Sequence, residues 1–267
     1  MHTAMKAVLS LSSLFALPGI TGAALIAWQP SVQMFPGTTT DTFVDSSFGL
    51  QQTLAFNPND GLTNDITLNG VTFTDVQGPD TSSLLGTAGE TVTLGVGSIT
   101  ANTGAFGDGS FSGNGDIFDV LRSATWNVQS VTLDNLFPGR EYQVQIFTND
   151  ARGNRNSNFQ AGFSDGVNNF ATSLSGGTAG IANLSNRDPI SGAGEASGDY
   201  IIGTFTADAS GTQSFFVQGT DQGYPDGRNS GGRAQINAFS LRSTVPEPSR
   251  AVLLALGGLT LLVRRRR

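Results

Sequence analysis

Between residues 24 and 243, hydrophobic and polar residues alternate repeatedly with a period of two, and no stretch carries the spacing of an amphipathic helix. Side chains two positions apart share one face of an extended strand, so this pattern points to half-buried β-strands. Thr91-Val92-Thr93-Leu94-Gly95-Val96 and Tyr142-Gln143-Val144-Gln145-Ile146 alternate cleanly. Ser214 to Gln218, Ala234 to Ala238 and Tyr200 to Thr206 are further strand candidates. Gly, Asn, Asp and Ser clusters separate them, as turns require. Asn69-Gly70, between Ile66-Thr67-Leu68 and Val71-Thr72-Phe73, has the residues of a type I′ hairpin turn, with a bulge in one longer strand as the other reading. Strong helix formers are scarce here, with no Lys and only Glu90, Glu141 and Glu195 as glutamates. The expected fold is all-β, a single β-sandwich of jelly-roll type with about ten short strands. Most of the 18 Phe belong in its core. Leu136-Phe137-Pro138-Gly139-Arg140-Glu141-Tyr142 has the form of a tyrosine corner, which makes Tyr142 structural. Ala171 to Gly198, rich in Gly, Ser and Ala, reads as a long loop.

The two ends read as addresses. Residues 1–23 form a secretory signal peptide: a short basic start at Lys6, an apolar run from Ala7 to Ile20, and small residues at Thr21-Gly22-Ala23-Ala24 for signal peptidase. Residues 244–267 carry Pro246-Glu247-Pro248, the apolar run Ala251 to Val263, and Arg264, Arg265, Arg266 and Arg267. As a helix that run is about 20 Å long, short of the roughly 30 Å hydrocarbon layer. The arginines would stay cytoplasmic and the body outside. This tail resembles the PEP-CTERM sorting signal, in which a Pro-Glu-Pro motif, a short hydrophobic helix and a basic cluster close the chain. The resemblance implies export, transient retention at the membrane, and removal of the tail by exosortase, a transpeptidase-like membrane enzyme. Such tails occur in proteins sent to the envelope or extracellular matrix.

The body, residues 24–243, resembles a β-sandwich domain frequent in secreted proteins of planctomycetes and verrucomicrobia. The resemblance rests on Ile66 to Phe73, Val131 to Arg152, Tyr200 to Ala207 and Gln235 to Arg242. It implies a galactose-binding-like or concanavalin-like jelly roll and carries no catalytic motif.

Absent residues restrict the chemistry. There is no Cys, the one His is His2, and the one Lys is Lys6. The mature chain therefore lacks the groups for Ser-His-Asp or Cys-His catalysis, Schiff bases and His/Cys zinc sites. Between residues 24 and 243, 8 Arg stand against 20 acidic residues, which argues against nucleic acid as a partner. Asp108, Ser110, Ser112, Asn114, Asp116 and Asp119 fall at alternating or terminal positions of a twelve-residue calcium-type loop, though Asp119 replaces the usual bidentate Glu. A solvated turn is the plainer reading of the same residues. Two polar loops offer a glycan contact: Asp150, Arg152 and Arg155 in one, Tyr224, Asp226 and Arg228 in the other. Trp28 and Trp126 are expected in the core. These features point to an exported cell-envelope or matrix protein, non-catalytic, that binds polysaccharide or forms matrix. A carboxylate-dependent carbohydrate-active enzyme and a purely structural adhesion protein are the alternatives.

Overall fold

A computed structural model describes residues 25–34, 40–48, 51–59, 65–77, 84–86, 89–96, 117–121, 124–148, 160–164, 181–183, 198–220 and 234–244. The segments expected to be a signal peptide (residues 1–23) and, from residue 245 onward, a sorting tail lie outside them. In chain order, β1 (Ala27–Trp28) and β2 (Val32–Met34) precede a 3₁₀ turn at Thr40–Phe43. β3 (Gln51–Asn59), β4 (Ile66–Leu68), β5 (Val71–Gln77), β6 (Leu84–Leu85) and β7 (Thr91–Val96) follow. One helical turn, α1 (Ile117–Val120), leads to β8 (Thr125–Asp134) and β9 (Glu141–Thr148). Then come β10 (Gln160–Ser164), β11 (Ile181–Asn183), β12 (Gly198–Thr206), β13 (Gln213–Thr220), β14 (Ala234–Ile236) and β15 (Ala238–Ser243).

The strands form two sheets. The first has the order β1-β12-β9-β15-β3-β5-β4, with β2 also pairing β12; the second has the order β11-β10-β13-β8-β7-β6, with β14 also pairing β8. β3 and β5 run parallel, and the other described pairs are antiparallel. Residues from both sheets meet in one hydrophobic core. Val144, Ile146, Phe205 and Leu241 enter it from the first sheet, and Val92, Val131, Leu133 and Phe215 from the second. Trp28 stands edge-on to Phe215 with ring centroids 5.3 Å apart. Full burial of each such side chain contributes about 1.5–3 kcal/mol, so this core is the main source of stability in a chain without disulfides.

The first sheet is covered on its other face as well. Seven of the eight residues of β9 are buried. Phe147 turns away from the shared core into a second cluster with Met34, Phe43, Val44, Leu68, Phe73 and Ile117. Segment 40–48, the β4–β5 hairpin and α1 supply this cover.

Local turn chemistry behaves as the sequence predicts. Asn69 and Gly70 both adopt positive φ, 47° and 75°, as a type I′ turn demands. The Phe137 N–H donates to the Tyr142 hydroxyl at 2.9 Å, closing the tyrosine corner. Tyr142→Phe leaves that N–H without its partner and is expected to cost about 1–2 kcal/mol, read from urea midpoints.

Two expectations are corrected. Strand β11 lies inside the Ala171–Gly198 stretch expected to be loop. The candidate strand Ala234–Ala238 breaks at Asn237: β14 pairs β8 in the second sheet, whereas β15 pairs β9 and β3 in the first. A chain that changes sheets must re-satisfy its backbone at the crossing. Buried Asn237 does so, donating its N–H to the Phe147 carbonyl and its Nδ2 to the Leu121 carbonyl, both at 2.9 Å. Alternation runs through the break unchanged, so periodicity could not reveal it.

Candidate functional site

Strand register brings the bases of the singled-out loops to one end of the sheets. Gln160, where β10 begins, pairs with Thr220, where β13 ends. Residues 149–159 lead into the first and residues 221–233 leave the second, so the two polar loops share a base. Asn183, the end of β11, also pairs with Gln160. Val96, the end of β7, and Ala234, the start of β14, both pair with Val128. Residues 97–116 therefore also leave the second sheet at this end. In the first sheet, Thr148 at the end of β9 pairs with Asp199 near the start of β12.

The opposite end is closed by short turns. The Leu136 N–H donates to the Gly211 carbonyl (2.9 Å), the Gly139 N–H to the Ala207 carbonyl (2.7 Å), and the Ala207 N–H to the Arg140 carbonyl (2.9 Å). One end of the strands thus carries tight turns, and the strand ends that flank residues 97–116, 149–159 and 221–233 lie at the other.

Asp119 lies in α1, whose Ile117 and Val120 are buried in the second hydrophobic cluster. The chain entering from residue 116 is thereby anchored beneath the first sheet. Asp108, Ser110, Ser112, Asn114 and Asp116 lie outside the described residues, as do Asp150, Arg152, Arg155, Tyr224, Asp226 and Arg228. The same holds for Pro246, Glu247, Pro248 and Arg264 to Arg267. Trp126 lies in β8, and Trp28 is half-buried against the shared core. Among the described residues, no three His, Cys, Asp or Glu side chains gather to hold a metal.

Two polar clusters escaped the sequence reading. The first fastens segment 40–48 to the first sheet. Fully buried Gln145 accepts from the Asp45 N–H (3.0 Å) and donates Nε2 to the Phe43 carbonyl (2.7 Å). Arg242 donates Nε to the Phe48 carbonyl (3.0 Å) and Nη2 to the Ser46 carbonyl (3.2 Å). Gln143 donates Nε2 to the Asp45 carboxylate at 3.0 Å. Burial raises the Asp45 pKa, but hydrogen bonds from Ser47 and Gln143 and the Arg242 charge outweigh it and hold it below the ordinary 3.8. A depressed carboxylate pKa stabilises the fold above the unfolded value, and that contribution is lost as pH falls through the folded one. Asp45→Asn is therefore expected to unfold more readily than the parent at neutral pH, with the gap closing below pH 3.8, followed by urea titration at several pH values.

The second cluster lies at the turn end. Glu90 is fully buried, and its Oε1 is 4.0 Å from Arg140 Nη1. Arg140 in turn places Cζ 4.2 Å from the centroid of the Phe137 ring. A guanidinium faces this carboxylate, which makes the arrangement an internal ion pair and not a pair of acids for glycoside hydrolysis.

No protein-family model matches the sequence. No curated protein matches it either. Among solved structures, a calcium-binding mutant of Bacteroides uniformis beta-glucuronidase 2 is similar over 76% of this chain and 19% of its own, with 14% identity and a TM-score of 0.40. A Bacteroides uniformis beta-glucuronidase is similar over 72% of this chain and 18% of its own, with 15% identity and a TM-score of 0.39. The chain spans less than a fifth of the length of these enzymes, and likeness at this level transfers no activity.

Proposed function

We propose that this chain is an exported, non-catalytic module of the cell envelope or extracellular matrix that binds polysaccharide through the loops at one end of its strands. The observation that carries the reading is the Gln160–Thr220 pair, from which the two amide- and guanidinium-rich loops both spring. Planar amides, carboxylates and guanidinium groups pair with sugar hydroxyls, and the Tyr224 ring offers a stacking face. Asp150, Arg152, Arg155, Asp226 and Arg228 are the hydrogen-bonding groups in this reading. Asp108, Ser110, Ser112, Asn114, Asp116 and Asp119 would hold a calcium ion that organises the third loop.

The two sheets sharing one core support a jelly-roll sandwich as the frame. Export and processing rest on the sequence of the two ends, with signal peptidase and exosortase as the processing partners. Glycan-array binding by the purified protein, with calcium and again with chelator, tests the reading. Binding abolished by chelator supports both the glycan and the calcium roles, and binding indifferent to chelator keeps the glycan role alone. No binding in either condition overturns it.

A further inference from the structure

We infer that the turn end of the strands is the surface this protein presents to a lipid bilayer, with the opposite end pointing outward. The inference rests on the reading of the two ends as membrane-directed segments and not on glycan binding. A juxtaposition that the sequence alone does not show carries it. The body enters from residues 1–23 and leaves toward the apolar run Ala251 to Val263 at neighbouring points of one end.

At the first point, Ala27 pairs with Thr204, two residues short of the Thr206–Glu141 pair, and β1 is antiparallel to β12. The chain preceding Ala27 therefore lies toward the turn end. At the second point, Ser243 closes β15 opposite Tyr142. Thr244 then donates both its N–H and its hydroxyl to the Glu141 carbonyl, at 3.0 and 3.4 Å. In the first sheet β12 and β9 stand between β1 and β15, so the two points are three strand spacings apart, about 14 Å.

The tether is short. Residues 245–250, Pro246 and Pro248 among them, separate Thr244 from Ala251, a span of about 25 Å when fully extended. Strand β9, eight residues long, sets the far end of the sheet about 27 Å beyond the turn end. A body held at both points keeps its turn end toward the bilayer. The surface there suits that contact. Leu25 and Phe137 are exposed, at 60% and 45%. Arg140 stands against Asp134, Glu141 and Asp208, so this end offers no basic patch for anionic lipid. Apolar side chains among mixed charges fit a zwitterionic interface. The strand ends that flank the polar loops then face away from the membrane.

The absence of cysteine gives a direct test, because one introduced thiol carries one label. A209C places it on the exposed turn between β12 and β13. V32C places it toward the far end, where Val32 is exposed and pairs with Tyr200. Each full-length variant carries a donor dye and is reconstituted with phosphatidylcholine vesicles whose headgroups bear an acceptor. Energy transfer is expected to be higher from A209C than from V32C, at low and at high salt. Equal transfer, or higher transfer from V32C, would overturn the inference and leave the tail reading in place. A full chain that stays free of the vesicles would overturn the tail reading and this inference with it.

Discussion

Gln145→Leu is expected to destabilise the protein by about 1–4 kcal/mol, because it strands a buried carbonyl, at about 1–3 kcal/mol, and a part-buried N–H that costs less. Leucine has nearly the volume of glutamine, so the cavity contribution is small. The lost partners are the Phe43 carbonyl and the Asp45 N–H, which share the one side-chain amide. Urea unfolding gives the magnitude, and hydrogen exchange gives the location. The Asp45 amide should lose protection first, before amides of the shared core such as Val144. A change under about 1 kcal/mol would mean that the two Gln145 hydrogen bonds contribute little to holding segment 40–48.

Phe147→Ala is expected to cost about 3–5 kcal/mol, the range for emptying a buried aromatic site. Phe147 is fully buried. Its ring lies edge-on to Phe73 at 5.9 Å and tilted against Tyr200 at 5.8 Å. It therefore joins the hairpin side of the second cluster to the β12 side. Phe147→Leu keeps most of the volume and should cost less. The combination with Gln145→Leu should cost less than the sum of the two, since both changes loosen the cover on one sheet face. Strict additivity in that cycle would contradict a single cover.

The parts of the fold legible in the sequence are those set by neighbouring residues. Alternation marks Thr91 to Val96 as strand, Asn69-Gly70 dictates the hairpin, and Phe137 to Tyr142 build the corner. The buried polar layer was not legible, because alternation assigns Gln143 and Gln145 to the solvent side. They are buried because segment 40–48, about a hundred residues earlier, lies across them. Arg242 grips the same segment from nearly two hundred residues away. Glu90 sits in a glycine-rich stretch that reads as loop, and its burial follows from Arg140 on a different turn. The site shows the same division. Residue types marked the polar loops, but only the pairing of Gln160 with Thr220 shows that two of them share a base.

The most direct test of the account is to measure affinity for a bound polysaccharide in variants at the two ends of the strands. Arg152→Ala and Tyr224→Ala alter the loop end, and Phe137→Ala alters an exposed residue at the turn end. The predicted result is an affinity loss of about tenfold or more for each loop-end variant, equivalent to about 1.4 kcal/mol. Phe137→Ala should bind like the parent, and the folded state should be retained throughout. Unchanged affinity in both loop-end variants, or a loss confined to Phe137→Ala, would contradict a polysaccharide site at the loop end.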